Sequence, residues 1–171
     1  MEKEIIDIID TAVKIGLGAT ISGMSAYYLS KLNFSRNNIK DKRDKTISLL
    51  EDIAFKIEAS KHKLNESSKP YWHFYVEPES ISHKEATKQS LNIIMEASAL
   101  IGQASALANL LQITELISTI DKVEKIIEEM YEVTGEDEIV EKSNNLNALL
   151  EKAEPIYTKC FTVLGNTYNN A

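Results

Sequence analysis

An uncharged run near the start of the chain constrains the architecture more than any other feature. The run covers Ile15–Leu29, reads IGLGATISGMSAYYL, and lies between an acidic opening and a basic segment. If it crosses a bilayer, the chain is a membrane protein; if it packs in water, the chain is a soluble helical bundle. The compartment of the protein therefore depends on this segment.

The length and the flanks of the run favour a transmembrane helix. Ala12–Leu29 contains one charge, Lys14, and approaches the roughly 20 residues that an apolar helix needs to cross the hydrocarbon core. Tyr27, Tyr28 and Lys31 lie at its end, where such side chains anchor a helix at the level of the headgroups. We expect these three residues to be interface anchors.

Basic residues after the run predict its orientation. Lys31–Lys45 contains six basic residues against two acidic ones. Positive residues stay on the cytoplasmic side of a membrane, so we expect the N-terminus outside and the remaining chain in the cytoplasm. Basic groups at this depth also attract anionic lipid. The candidate headgroup contacts are Arg36, Lys40, Lys42 and Arg43.

Small residues in the run predict close packing between helices. Gly18, Ser22 and Ala26 recur at every fourth position, as do Ala19 and Gly23, so two ridges of small residues lie on adjoining helix faces. Such ridges let identical helices assemble, either around a pore or as an ordinary anchor or helix dimer. The residues assigned to helix packing or pore lining are Lys14, Gly16, Gly18, Thr20, Ser22, Gly23, Ser25 and Ala26.

The composition of the whole chain predicts an all-α protein. Its 171 residues are 43% hydrophobic and include only 6 glycines and 3 prolines, which favours helices over strands. We expect residues 1–33 to hold an amphipathic start and the transmembrane helix, and residues 34–171 to form a cytoplasmic bundle of three to four long helices. A net charge of −7 opposes binding to nucleic acid, so no DNA partner is expected.

Apolar spacing and a capping signal place the first two long helices. Apolar residues at alternating spacings of three and four predict a helix over about Asn37–Asn65. Ser82 with Glu85 matches a capping box, so a second helix should start there. This helix is predicted to be long, because Leu91–Ile127 is apolar and has almost no helix breaker.

Part of this apolar stretch carries no charge at all. Ala97–Thr114 resembles a second membrane span in length, but Gln103, Asn109 and Gln112 interrupt it and no aromatic or basic flank marks its ends. We therefore predict that it is the central buried helix of the bundle.

The final helix is expected after a polar turn. Gly135 is a natural helix C-cap, and apolar spacing resumes from Leu146. Pro155 should kink this helix or restart it after Glu154, because proline removes a backbone donor. The polar tail Gly165–Ala171 is predicted to fray unless a neighbouring subunit holds it.

An aromatic cluster lies in the predicted main loop, Glu66–Ser80. Its members are Tyr71, Trp72, His73, Phe74 and Tyr75. Such residues either close one end of a bundle by burial or contact a partner, a subunit or a ligand. Both roles remain open on sequence alone.

Residues that perform catalysis or bind metals show no recognisable pattern. His62, His73 and His83 are too widely spaced to share one helix face as metal ligands, and Cys160, the single cysteine, fits an apolar helix position better than a nucleophile. The sequence has no phosphate-binding loop, HExxH motif or nucleophile elbow. We expect a non-enzyme without catalytic residues, metal or cofactor.

The layout of the chain resembles a known class of proteins. An N-terminal membrane helix, a basic segment and a compact helical bundle are shared with the small membrane accessory proteins of bacterial antiviral systems. The resemblance is greatest to the pore-forming accessory proteins of RNA-targeting type VI CRISPR loci. It implies a divergent HEPN-like helical domain, a bacterial inner-membrane location, and an RNA-guided effector or its product as the activating partner.

One departure from that class concerns nuclease activity. The nuclease forms of the helical domain carry an Arg followed a few residues later by a His. Here Arg36 and Arg43 are the only arginines, and neither is followed closely by a histidine. The resemblance therefore implies a scaffold and a membrane pore rather than a nuclease.

Two classes of function follow from the sequence. In the first, the bundle forms a homo-oligomer, gathers the N-terminal helices into a pore and permeabilises the inner membrane in antiviral defence. In the second, the bundle is a membrane-tethered adaptor whose aromatic cluster binds a partner protein. A soluble helical bundle is the third possibility.

Overall fold

A computed structural model describes residues 29–32, 39–134 and 139–170. The predicted transmembrane segment lies outside these residues except for its last residue, Leu29, and so do all its assigned packing and pore-lining residues, Tyr27 and Tyr28. Arg36 and Gly135 also lie outside them. The predictions for these positions therefore stay predictions.

The chain divides into two compact units, Met1–Lys45 and Thr46–Ala171. Five helices are bounded within residues 39–170, and the described part of the chain contains no strand. They are α1 (39–66), α2 (Lys69–Val76), α3 (His83–Leu110), α4 (Thr114–Thr134) and α5 (Ile139–Asn170). The all-α prediction is confirmed, and α1, α3, α4 and α5 are its long helices. The HEPN-like assignment stays a prediction.

Narrow apolar stripes on the long helices build the core of the second unit. On α3 the buried residues are spaced by three or four positions, which places them on one side of the helix. They are Ala86, Ser90, Ile94, Ala97, Ile101, Ala104 and Ala108. Larger side chains from the other helices fill the remaining space, among them Ile53 and Ile57 of α1, Ile120 of α4 and Leu146 of α5. Burial of each such side chain stabilises the fold by about 1.5–3 kcal/mol.

A buried polar link joins three helices inside this core. Ser60 of α1 donates a hydrogen bond of 3.0 Å to the backbone carbonyl of Ala97 in α3. Its Oγ also lies 3.1 Å from the hydroxyl of Tyr157 in α5. Because a serine hydroxyl has a single proton, Tyr157 is the donor in the second bond. The two hydrogen-bonded hydroxyls of Ser60 and Tyr157 thus fix the positions of α1, α3 and α5 relative to one another.

The predicted loop at 66–80 is partly wrong, because α2 forms inside it. Pro70 lies in the first turn of α2, where its missing N–H would have no helical partner in any case. Pro70 and Tyr71 are both buried, so packing stabilises a short helix that periodicity alone does not reveal. Ser90 of α3 donates a 2.7 Å hydrogen bond to the carbonyl of Ser67 and ties down the turn before α2.

The predicted start of the next helix is correct, but its length is not. Ser82 is the N-cap of α3, and its Oγ accepts a hydrogen bond from the backbone N–H of Glu85. The apolar run does not continue as one helix, since residues 111–113 separate α3 from α4. Gln112 makes the break with a left-handed φ of 56°.

The backbone around Gln112 forms a complete helix C-terminal motif. The N–H of Ile113 donates to the carbonyl of Ala108, and the N–H of Gln112 donates to that of Asn109. This pair of bonds is the Schellman arrangement, which satisfies carbonyls that the helix leaves open. It is normally signalled by glycine, and this chain places glutamine there.

The predictions for the last helix also need correction. Helix α5 runs without interruption through Pro155 to Asn170, so neither the restart after Glu154 nor the frayed tail is observed. Pro155 is exposed while Ala153 and Tyr157 on either side of it are buried, so core packing holds the helix on both sides of the lost hydrogen bond. Side chains of Thr167 and Asn170 bond back to the helix backbone in the tail.

Candidate functional site

Helix α2 divides the aromatic cluster between the core and the solvent. Tyr71 is fully buried, and Phe74 is half-buried and packs against the core. Trp72 and Tyr75, which are one turn apart on α2, are each 64% exposed. Burial is therefore the role of Tyr71 and Phe74, whereas partner contact by the exposed members of the cluster stays a prediction.

The exposed aromatic residues form a small surface of their own. The rings of Trp72 and Tyr75 stack with centroids 6.0 Å apart and planes inclined by 28°. They lie beside the first turns of α5 and frame a shallow pocket of about 250 Å³. The pocket is lined by Tyr71, Trp72, Tyr75, Val140, Ser143 and Asn144. We call this group the aromatic surface.

A buried cation supports the floor of the aromatic surface. Lys142 is only 3% exposed, and its Nζ lies 5.9 Å from the centroid of the Tyr71 ring. The same ammonium is 3.5 Å from Nε2 of His83, which accepts a hydrogen bond when the imidazole is neutral. Within the described part of the chain, Lys142 has no carboxylate at ion-pair distance. The face of the Tyr71 ring is within the distance of a cation–π contact with this ammonium.

The ring of His83 also holds α2 against α3. Its centroid is 6.2 Å from that of Phe74, with the two planes tilted by 58°. His73, by contrast, is exposed at the other side of α2, and its Nε2 lies 3.3 Å from the Ser80 hydroxyl and 3.4 Å from Glu77. Both histidines therefore make contacts that shape the turn around α2.

The three histidines do not come together. His62 is exposed on α1, and no group of three His, Cys, Asp or Glu side chains suited to a metal occurs among the described residues. Cys160 is buried in the core, and burial raises the pKa of its thiol to about 11. At neutral pH this thiol is protonated and shielded from solvent.

The described members of the predicted lipid contacts lie in the first unit. Lys40, Lys42 and Arg43 are on exposed helical positions, and so is Lys31, the predicted interface anchor. Exposure leaves these side chains accessible to headgroups, and their role as lipid contacts stays a prediction.

The spacing of residues in the sequence does not reveal the α5 side of the aromatic surface. Val140, Ser143 and Asn144 follow the acidic turn in the sequence, about seventy positions from the aromatic cluster, and no spacing rule connects the two segments. Val140 is 55% exposed, so it does not belong to the buried apolar stripe of α5 that the spacing predicts. Only the packing of α2 on α5 reveals that these residues share one surface.

Helix α3 has a second notable property besides its core stripe. Among the described residues it is the one helix long and apolar enough to cross a membrane, a property that core helices of soluble proteins share. Only 28% of its apolar window is buried. The prediction of a central buried helix therefore holds for one side of α3 and not for the other.

Comparisons with known proteins give no relative. No protein-family model, curated protein or solved structure matches the chain.

Proposed function

We propose that this protein is a membrane-tethered helical adaptor that binds a partner protein through the aromatic surface. The observation that carries the proposal is the pair of stacked rings, Trp72 and Tyr75, each 64% exposed beside a pocket. Solvent-exposed aromatic residues around a pocket are typical of binding hot spots, because they bury a large area with little loss of rotamer freedom.

The geometry of the surface supports a protein ligand with one large apolar anchor. The volume of about 250 Å³ is of the size of a single large side chain rather than of a whole cofactor. Ser143 and Asn144 supply hydrogen-bonding groups at the edge, as in interfaces with an apolar centre and a polar rim. No catalytic step is part of the proposal.

Site-specific crosslinking in the source cell tests this function. A photoreactive phenylalanine analogue placed at Tyr75 should capture one discrete partner, and Trp72→Ala should abolish the capture. Trp72→Ala should leave the fold intact, because that side chain is largely exposed. The matched control is the same analogue at Tyr168, a tyrosine 45% exposed near the end of α5. Equal products at both positions would show non-specific collision and refute the proposal.

The membrane tether rests on the uncharged run Ile15–Leu29 and on the basic residues after it. Fractionation tests the tether separately from partner binding. We expect the full chain to stay with the membrane through a high-salt wash and to be released by detergent. Release by salt alone would contradict insertion and leave only a peripheral or soluble protein.

Pore formation is the second candidate function. It is favoured by the ridges of small residues formed by Gly18, Ser22 and Ala26 and by Ala19 and Gly23. Gly18→Leu or Gly23→Leu should then disrupt assembly and abolish membrane depolarisation, while Trp72→Ala should not. The adaptor predicts the reverse pattern, with no depolarisation in any variant.

A further inference from the structure

Two polar groups at the aromatic surface lack the partners that buried groups normally have. The hydroxyl of Tyr71 is buried and makes no hydrogen bond within the described part of the chain. Lys142 is 3% exposed, and its ammonium has no carboxylate at ion-pair distance among the described residues. Buried charges are normally paired, and an unpaired buried polar group calls for an explanation such as a functional role.

The charge of Lys142 acts on the pocket of the aromatic surface. Its Nζ lies 5.9 Å from the centroid of the Tyr71 ring, and Tyr71 lines the pocket. A charge inside the protein is screened less than a charge in water, so its field extends across the ring into the pocket. Glu141, which is next to Lys142, is exposed, so solvent and salt screen its opposing charge more strongly. The pocket therefore has a positive potential.

The start of α5 adds to this potential. The helix begins at Ile139, and Val140, Ser143 and Asn144 of its first turns line the pocket. The first turn of a helix is the positive end of its dipole and favours a negative group nearby. An oxygen of a bound ligand would also give the Tyr71 hydroxyl the acceptor that it lacks among the described residues. The chemistry of the pocket therefore favours an anionic group next to an apolar one.

The size of the pocket restricts how a partner protein can supply both groups. A volume of about 250 Å³ holds one large residue. An internal Asp or Glu would carry the carboxylate on a different residue from the apolar anchor. A C-terminal residue carries an apolar side chain and a carboxylate on the same Cα, and capture of such a carboxylate is an established mode of peptide recognition. The size of the pocket therefore favours a C-terminus over an internal acidic residue.

We propose that the aromatic surface binds the C-terminal residue of its partner protein. A large apolar side chain packs against Trp72 and Tyr75, and the terminal carboxylate lies toward the start of α5. This inference rests on the proposed function and specifies which part of the partner is recognised. Lys142 is then a specificity-determining residue that acts through its electrostatic field rather than by direct contact.

Fluorescence of Trp72 measures binding at this surface directly, because the chain has no other tryptophan. The probes are N-acetyl-phenylalanine, which has a free carboxylate, and N-acetyl-phenylalanine amide, which has the same side chain without the charge. Each is titrated into the detergent-extracted full chain at constant ionic strength. A ligand of this size should bind with a Kd on the order of 1 mM. We expect the acid to bind about 10-fold more tightly than the amide, because only the acid interacts with the positive potential.

A pair of lysine variants separates the local charge from the net charge of the chain. Lys142→Met removes the ammonium and retains an unbranched side chain, and Lys159→Met makes the same change at a 52% exposed position farther along α5. Both variants should fold, because the first replaces a buried charge by an apolar group and the second changes an exposed side chain. Lys142→Met should largely remove the preference for the acid, whereas Lys159→Met should preserve it. Equal preferences in the two variants would overturn the inference.

A third probe distinguishes a C-terminus from an internal acidic residue. N-acetyl-aspartyl-phenylalanine amide carries a side-chain carboxylate and no terminal one, so it should bind more weakly than N-acetyl-phenylalanine. Equal or tighter binding of this probe would show recognition of an internal acidic residue and overturn the inference. Equal binding of the acid and the amide, or no change in fluorescence with either, would overturn it too. Crosslinking from Tyr75 measures partner capture independently, so the failure of this inference is distinguishable from the failure of the proposed function.

Discussion

Two buried tyrosines differ in what their hydroxyl groups contact. Tyr157 is 1% exposed and hydrogen-bonded to Ser60, whereas Tyr71 is 0% exposed and its hydroxyl has no partner among the described residues. Burial raises the pKa of Tyr157, so this hydroxyl stays protonated and remains a donor. The same residue type is thus a satisfied link at one position and an unpaired polar group at the other.

Removal of each hydroxyl should therefore have a different effect on stability. We predict that Tyr157→Phe lowers the free energy of unfolding by about 1 kcal/mol, because the hydrogen bond to Ser60 is lost. Tyr71→Phe should leave the free energy unchanged or raise it, because no bond is lost and a buried polar atom is removed. Urea unfolding followed by circular dichroism measures both values. Equal losses for the two variants would contradict the assignment.

Glu124 on α4 provides a prediction that depends on pH. Burial raises its pKa above the usual 4.5, and the nearby carboxylates of Asp121 and Glu128 add to the effect. Between the unfolded and the raised folded pKa the folded chain binds more protons, so stability increases as pH falls through this window. At neutral pH the Glu124 carboxylate is charged, and the whole destabilising effect of its burial is then present.

The variant Glu124→Gln removes that destabilisation. It should raise the free energy of unfolding at pH 7 by on the order of a few tenths of a kcal/mol, since the side chain is partly exposed and screened. Below about pH 4 the advantage should vanish, because the wild-type carboxyl is then neutral in both states. Urea unfolding across pH 3.5–7 checks this trend. A Glu124→Gln variant whose gain in the free energy of unfolding was largest at acid pH would refute the prediction.

At the scale of the element, α3 and α4 are separated by backbone geometry rather than by a helix-breaking residue. Gln112 adopts a φ of 56°, which glycine tolerates better than any residue with a Cβ. We predict that Gln112→Gly stabilises the bundle by up to about 1 kcal/mol. Thermal unfolding compares it with Ala99→Gly, a change at an exposed position inside α3 that should destabilise the bundle by about 1 kcal/mol. A loss of stability from Gln112→Gly would show that the left-handed turn is not strained.

Local signals in the sequence predicted helix starts better than helix ends. The start of α3 was predictable because a serine hydroxyl caps a backbone N–H within three residues. The end of α3 was not, because the Schellman motif uses glutamine where glycine is expected. Helix α2 and the passage of α5 through Pro155 were also not predictable, since both depend on burial of Tyr71 or Tyr157 against other helices.

At the scale of the whole molecule, the second compact unit holds a core of its own. This unit, Thr46–Ala171, contains every residue of the buried apolar cluster from Leu50 to Leu164. We predict that a fragment of residues 46–171 is soluble, helical and cooperative in unfolding. Circular dichroism and urea unfolding of the fragment and of the detergent-extracted full chain provide the comparison. A fragment that aggregates or unfolds gradually would show that residues before Thr46 complete the core.

The sequence by itself determined the helical class, the stripes that form the core and the cap at Ser82. These follow from interactions between residues a few positions apart, which spacing reports directly. The tertiary structure alone decided which aromatic residues are exposed and that Val140 and Asn144 join them. It also decided that one side of the apolar helix α3 faces outward. Such properties depend on contacts between distant segments, because burial is a property of the packed helices and not of any one of them.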